Sequence, residues 1–249
     1  MNNARQIKTF IGAMVLAAVA TATYAGVPSH NLHLYFAVAV LALAAATSRM
    51  KVKLPGINGN MSVNLPFILI ALAQLSFTET VVIAAVCAFV QGLPINGRRI
   101  KPVQALFNVS TLVVAVAVSE QVFKHGAAVP SLAAKSLLIA LAGAAFLLAD
   151  TLPVAGVISL TENLKLAKVW REMLQLTFSY FVLSAGVAGI AATASHYVGW
   201  QTPLLMLPVM MGTYLSYKRY FRLTAAVSMT SLQFTTLPAG AREIAELHR

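Results

Sequence analysis

The chain is short of charge, and shortest of negative charge. Of its 249 residues 10% are charged and 59% hydrophobic, whereas a soluble domain carries about a quarter charged residues. That shortage excludes an ordinary soluble domain, and apolar stretches long enough to cross a bilayer recur along the whole length. Seven acidic residues face 18 Lys and Arg, a net charge of +11. In a membrane protein this excess reads as loops held at an anionic cytoplasmic leaflet, so no nucleic-acid partner is expected. Cys87 is the only cysteine, which excludes an intrachain disulfide, and the Cys/His spacings of zinc sites are absent. There is no Walker loop, no HExxH and no nucleophile elbow. The expectation is an all-α, polytopic transmembrane helical bundle, with no enzyme activity, cofactor or metal.

What is present centres on the stretch from Leu54 to Asn108. A Gly/Asn-rich turn leads into one apolar run, and the polar break Thr78-Glu79-Thr80 into a second. A basic patch, Arg98, Arg99 and Lys101, leads into a third run carrying Asn108. Two apolar runs joined by so short a break predict a helical hairpin, and Glu79 is placed to cap its second helix, where a negative group is favoured.

Eight runs are expected as spans: Thr9–Val27, Leu32–Thr47, Val63–Phe77, Val81–Leu93, Val103–Phe123, Leu132–Leu160, Leu176–Ser195 and Pro203–Tyr217. The first also has features of a cleavable signal peptide, but its apolar run is long for one. The third and fourth fall short of the roughly 20 residues a span needs, which fits steep or partly re-entrant segments. The sixth is long for one straight span, and Pro153 should kink it, with Thr151 capping the kink. Residues Asn163–Leu174 alternate basic and apolar groups around Trp170, the pattern of a helix lying at the headgroups. With the N-terminus inside, every cytoplasmic segment carries Lys or Arg, and the outer loops hold only Lys124, with Lys135 just inside the sixth run. This one-sidedness supports eight spans with both termini cytoplasmic. A transmembrane domain over residues 1–222 and a short cytoplasmic tail over 223–249 follow.

Asp150 is the sharpest candidate for function. A carboxylate deep inside an apolar run is expensive and faces a partner or water. It reads either as a proton or cation site or as a hydrogen-bonded group serving the backbone freed by Pro153. Asn108 and Thr111 share a helix face and read as interhelical hydrogen-bonding groups or as ligand contacts; Gln74 and Gln91 read alike. Gly56-Ile57-Asn58-Gly59-Asn60 reads as a tight turn for re-entry, or as a set of amides, with Asn60 and Asn64, lining a polar site at the membrane edge. Ser184, Ala188 and Ala192 repeat at four-residue spacing, a close-packing face. Met206, Met210, Met211, Tyr214 and Tyr217 read as core and interface anchors.

The strings KLPGINGNMSVNLPFILIALAQLSFTETVVIAAVCAFVQ, RRIKPVQALFNVS and ADTLPVAGVISLTENLKLAKVWRE resemble the multi-spanning N-terminal membrane region of bacterial signalling proteins. There such a region precedes an HD-type phosphohydrolase or GGDEF-type cyclase domain. The resemblance covers residues 50–220 and brings no catalytic motif. It implies a bacterial inner-membrane sensory or anchoring module. After Arg222 the sequence has no HD pair and no GGDEF-like stretch, so output would pass to a separate cytoplasmic signalling partner. More loosely, the short helices and basic loops are similar to substrate-binding membrane subunits of energy-coupling-factor transporters. That resemblance implies a small-molecule carrier with a transporter ATPase as partner. The lipid bilayer is a partner on either reading, and a homo-oligomer is compatible with both.

Overall fold

The computed structural model describes residues 2–26, 34–53, 60–93, 102–126 and 132–236. The chain forms α1 (Asn2–Ala25), α2 (Leu34–Ser48), the strands β1 (Lys51–Lys53) and β2 (Asn60–Ser62), α3 (Leu65–Gln74), α4 (Phe77–Gly92) and α5 (Pro102–Gly126). It continues through α6 (Leu132–Glu162), α7 (Leu166–Val198), a 3-10 turn at Gly199–Gln201, the short α8 (Thr202–Leu205) and α9 (Leu207–Thr236). The expected all-α bundle is found. Among the described residues, four helices are long and apolar enough to cross a membrane: Ala4–Ala25, Pro102–His125, Ser136–Glu162 and Leu166–Ser195. The apolar helices α2, α3 and α4 are shorter.

The bundle is built around α3. Its sequence, LPFILIALAQ, is apolar on every face, and such a helix has to be enclosed. All residues from Leu65 to Leu72 are buried. At ~1.5 Å per residue its ten residues reach only about 15 Å, half of a hydrocarbon core of about 30 Å. A helix can stop at that depth only if protein surrounds its ends. Helices α2, α4 and α7 supply most of that enclosure.

The hairpin between α3 and α4 has the expected cap, shifted by a few residues. Thr78, Glu79 and Thr80 lie inside the first turn of α4, and the break is Leu75-Ser76. The Ser76 backbone N–H donates to Glu79 Oε2 at 2.9 Å, and the Glu79 N–H donates to Ser76 Oγ at 3.3 Å. This reciprocal capping box satisfies two N–H groups that a helix start leaves open. The tip is tied to α1, since the Thr78 hydroxyl donates to the Ala25 carbonyl and Tyr24 meets the Phe77 ring edge-on. Lys124 of α5 lies over that same Phe77 ring and pairs with Glu120 at 3.2 Å.

Before α3, β1 and β2 pair antiparallel, with Lys51 opposite Ser62 and Lys53 opposite Asn60. The expected Gly/Asn turn falls on residues 54–59, which lie outside the described residues. Two expectations are corrected. Thr151 does not cap the open carbonyl before Pro153, around which α6 stays helical: its hydroxyl donates to the Leu147 carbonyl at 2.6 Å, not to that of Ala149. Finally, Asn163–Leu174 is no separate interfacial helix. Asn163 takes a left-handed turn, φ 55°, which an Asn tolerates. Leu164 N–H closes the turn on the Ser159 carbonyl at 3.1 Å, and α7 then runs unbroken for 33 residues. Those residues reach about 50 Å at ~1.5 Å each, well beyond the bilayer core. The exposed Lys168 and Arg171 therefore stand on the protruding first turns of a long helix. Trp170 packs with Ala155, Val169 and Met173.

Candidate functional site

The entry to α3 is a closed polar cluster. Asn64 and Ser62 are almost wholly buried and Ser48 fully so. The Asn64 amide donates to Ser48 Oγ at 3.0 Å, Ser62 Oγ donates to Asn64 Oδ1 at 3.2 Å, and Ser48 Oγ donates to the Ala44 carbonyl at 2.7 Å. The Cys87 thiol lies against Ser48 and Asn64. The open N–H groups at the start of α3 are also met. Phe67 and Ile68 donate to the Asn64 carbonyl, Pro66 has no N–H to satisfy, and Leu65 donates to the phenol oxygen of Tyr180 at 3.2 Å. Both ends of the Asn64 amide are thus engaged inside the protein. Asn60 pairs through its backbone with Lys53, and its side chain lies outside what is described.

Tyr180 ties this cluster to a second layer. It is buried on α7 and meets the ring of Tyr217, on α9, edge-on with centroids 6.1 Å apart. Tyr217 in turn meets Phe221 at 5.8 Å. Asp150 is the chain's only aspartate and lies near the middle of the span Ser136–Glu162. It is half-buried, and among the described residues its carboxylate has no hydrogen bond or ion pair.

The register of α5 against α6 brings Thr111 to the same depth. Ser119 Oγ donates to the Ala142 carbonyl at 2.9 Å, across the two antiparallel helices. Eight residues back along α5 is Thr111, and eight residues on along α6 is Asp150. Phe10 of α1, which touches both Phe107 and Gly156, confirms this register one turn further on. Thr111 is almost wholly buried, and its hydroxyl has no partner among the described residues. The other buried Ser and Thr hydroxyls on the membrane helices each find a carbonyl, as in Ser110 to Leu106 and Thr177 to Met173. Asn108, three residues before Thr111, is half-buried and makes no side-chain hydrogen bond among the described residues. Among the described residues, neither Asn108 nor Thr111 makes an interhelical side-chain hydrogen bond. The register places Thr111 and Asp150 at one level of the α5–α6 pair, with Asn108 one turn away on α5.

Sequence reasoning passed over Tyr180, Ser48 and Ser62. A signal existed for the first: a tyrosine buried in an apolar run needs a partner for its hydroxyl, and a helix beginning at membrane depth needs partners for its first N–H groups. On β1, burial, with the Arg49 guanidinium adding to it, pushes the Lys51 amine below its ordinary value. Lys51 sits on β1, against α9. Among the described residues no group of three or more His, Cys, Asp or Glu is placed to hold a metal ion.

One protein-family model, MASE9, which describes a membrane-associated sensory domain, matches residues 8–222. No curated protein and no solved structure matches the chain.

Proposed function

The chain belongs to the MASE9 family, and from that premise we propose that it is a non-catalytic sensory module of a bacterial inner membrane. Its input site is the mid-depth layer of Asp150, Thr111 and Asn108, and its output leaves through α9 to a cytoplasmic signalling partner of HD or GGDEF type. The observation that carries the reading is Asp150. A charge at the centre of a span costs about 2.5–3.5 kcal/mol on insertion scales, and here no described residue offsets that cost with a hydrogen bond or ion pair. Such a residue is retained for what it binds, a proton or a cation, and the neighbouring unpaired hydroxyl of Thr111 offers a second contact.

The same proposal includes eight passes and two cytoplasmic termini. The short α3 makes its pass together with the extended approach of β2, and the long α6 and α7 reach past the bilayer on the basic side. An alkaline phosphatase fusion after His125 is expected to be active and one after Arg99 inactive; the reverse pattern overturns the topology. The input site is tested by native mass spectrometry of the full chain in native-lipid nanodiscs. A bound species present in the parent and lost in a folded Asp150→Asn variant supports the site, and a species retained at full occupancy by that variant contradicts it.

A further inference from the structure

We propose that α9 is a homodimer interface, with a second copy of this chain lying parallel along the stripe Val209, Gly212, Ser216, Tyr220 and Leu223. Helix α9 is 30 residues long and lightly held. It packs chiefly on β1 and α8, with Tyr217 against Tyr180, and the side chains it buries, Met210, Thr213 and Phe221, lie to one side. At 3.6 residues per turn the stripe winds along another side at intervals of three or four, and all of its residues are exposed. The sequence keeps that spacing through Val227, Thr230 and Phe234, and the helix runs on to Thr236.

The occupant follows from where the stripe runs. Before the basic residues Lys218, Arg219 and Arg222, lipid tails account for exposed side chains such as Met211 and Leu215. They do not account for Tyr220 and Leu223, which are 61% and 68% exposed. Those two lie among and past charges that belong at the headgroups, and the helix continues for about 20 Å beyond Leu223. A soluble partner covers the far half and leaves the near half unmatched. A second copy, held at the same depth and orientation by the same membrane, matches the stripe from end to end. The residue sizes suit both halves. Gly212 and Ser216, four apart, let two helices approach closely within the bilayer, and Tyr220, Leu223 and Val227 supply the larger groups of a coiled-coil seam outside it. No atom of the described chain comes within 4 Å of where a Gly212 side chain would begin, so the fold itself makes no use of that close approach. Lys218 and Arg222 fall about a third of a turn or more from the stripe, so the charges of two copies flank the seam instead of meeting in it. The contact is self-complementary about a two-fold axis and sets two output helices side by side. It rests on the proposed topology only in placing the basic residues at the headgroups.

The test is oxidative cross-linking of the full chain in native membranes, with one cysteine introduced at a time. Cys87 is buried, so the parent serves as the blank. Ser216→Cys and Leu223→Cys lie on the stripe, where two copies come within disulfide reach, and are expected to give a linked dimer. Met211→Cys and Arg222→Cys, at similar depths on another side of the helix, are expected to give little. Equal linking at all four positions is random encounter and overturns the proposal. So does the absence of linking at Ser216→Cys and Leu223→Cys. Native mass spectrometry of the parent supplies a second reading: a dimer mass is expected, and a single-chain mass carrying only lipid means that lipid is the cover. Gly212→Leu has open space to fold into and is expected to weaken the dimer about tenfold. A dimer that links only at Leu223→Cys and is untouched by Gly212→Leu overturns the pairing within the bilayer. Should Gly212→Leu fail to fold, the four cysteine positions decide alone. Reversed phosphatase fusions with the same cross-links would sink the topology and leave the dimer standing.

Discussion

The Asn64 cluster and the Asp150 layer are both set among apolar helices, but only the first is closed. Around Asn64 both ends of the amide, the Ser48 and Ser62 hydroxyls, and the Leu65 N–H all have partners. Around Asp150 a carboxylate and a buried threonine hydroxyl have none among the described residues. Each closed polar group stabilises the fold by a modest net amount, and each open one costs about 1–3 kcal/mol of desolvation. The comparison separates polar residues that build the structure from polar residues that the structure carries at a cost.

The largest effect expected from breaking the closed cluster is at Asn64. Asn64→Leu strands the Ser62 hydroxyl and removes the donor to Ser48 Oγ, and is expected to destabilise the chain by about 3 kcal/mol. Thermal unfolding followed by size-exclusion in nanodiscs reads this as an early melt, and an unchanged melt would mean that the cluster is solvated. Tyr180→Phe removes a single acceptor from Leu65 N–H and is expected to cost about 1.5 kcal/mol in the same assay. On the open side the sign reverses. Thr111→Val replaces an unpaired buried hydroxyl with a methyl of the same shape and is expected to stabilise by about 1 kcal/mol. A loss of stability there would show that the hydroxyl has a partner after all. The smallest effect is at Gly143. A Cβ there meets Ala185 and the Leu69 side chain at 3.5 Å, an ordinary contact. Gly143→Ala should therefore gain helix propensity without clash, about 0.5 kcal/mol.

Much of this could be read from the chain alone, because hydropathy and local caps are local. Five of the eight apolar runs became helices near their expected limits, whereas α1 begins earlier, at Asn2, α7 earlier, at Leu166, and α9 runs on to Thr236, past the expected start of the tail at 223; Glu79 caps α4. Ser184 and Ala188 are buried on α7, as their spacing predicts. Met206 and Met210 are buried in the core, while Met211 is exposed. What could not be read is what distant residues decide. The bond from Leu65 to Tyr180 joins positions 115 residues apart, and no period or spacing encodes it. The β-hairpin is three residues a side, too short for alternation to declare itself. The basic residues of 163–174 suited the headgroup region in either arrangement. Whether they formed their own helix or began α7 depended on a single left-handed residue, Asn163. For the same reason Asp150 stood out in the sequence, while its lack of a partner was visible only once α5 and α7 were in place.

The most direct test of this account exchanges amide and carboxyl at both places. Asn64→Asp and Asp150→Asn are near-isosteric and change each side chain in opposite directions. A carboxylate at 64 cannot donate to Ser48, so Asn64→Asp is expected to lower stability by about 2–3 kcal/mol. Asp150 has no described bond to lose, so Asp150→Asn is expected to leave stability within about 0.5 kcal/mol while abolishing the bound species seen in the parent. If instead Asp150→Asn melts as early as Asn64→Asp, the carboxylate is part of the scaffold and the account is wrong.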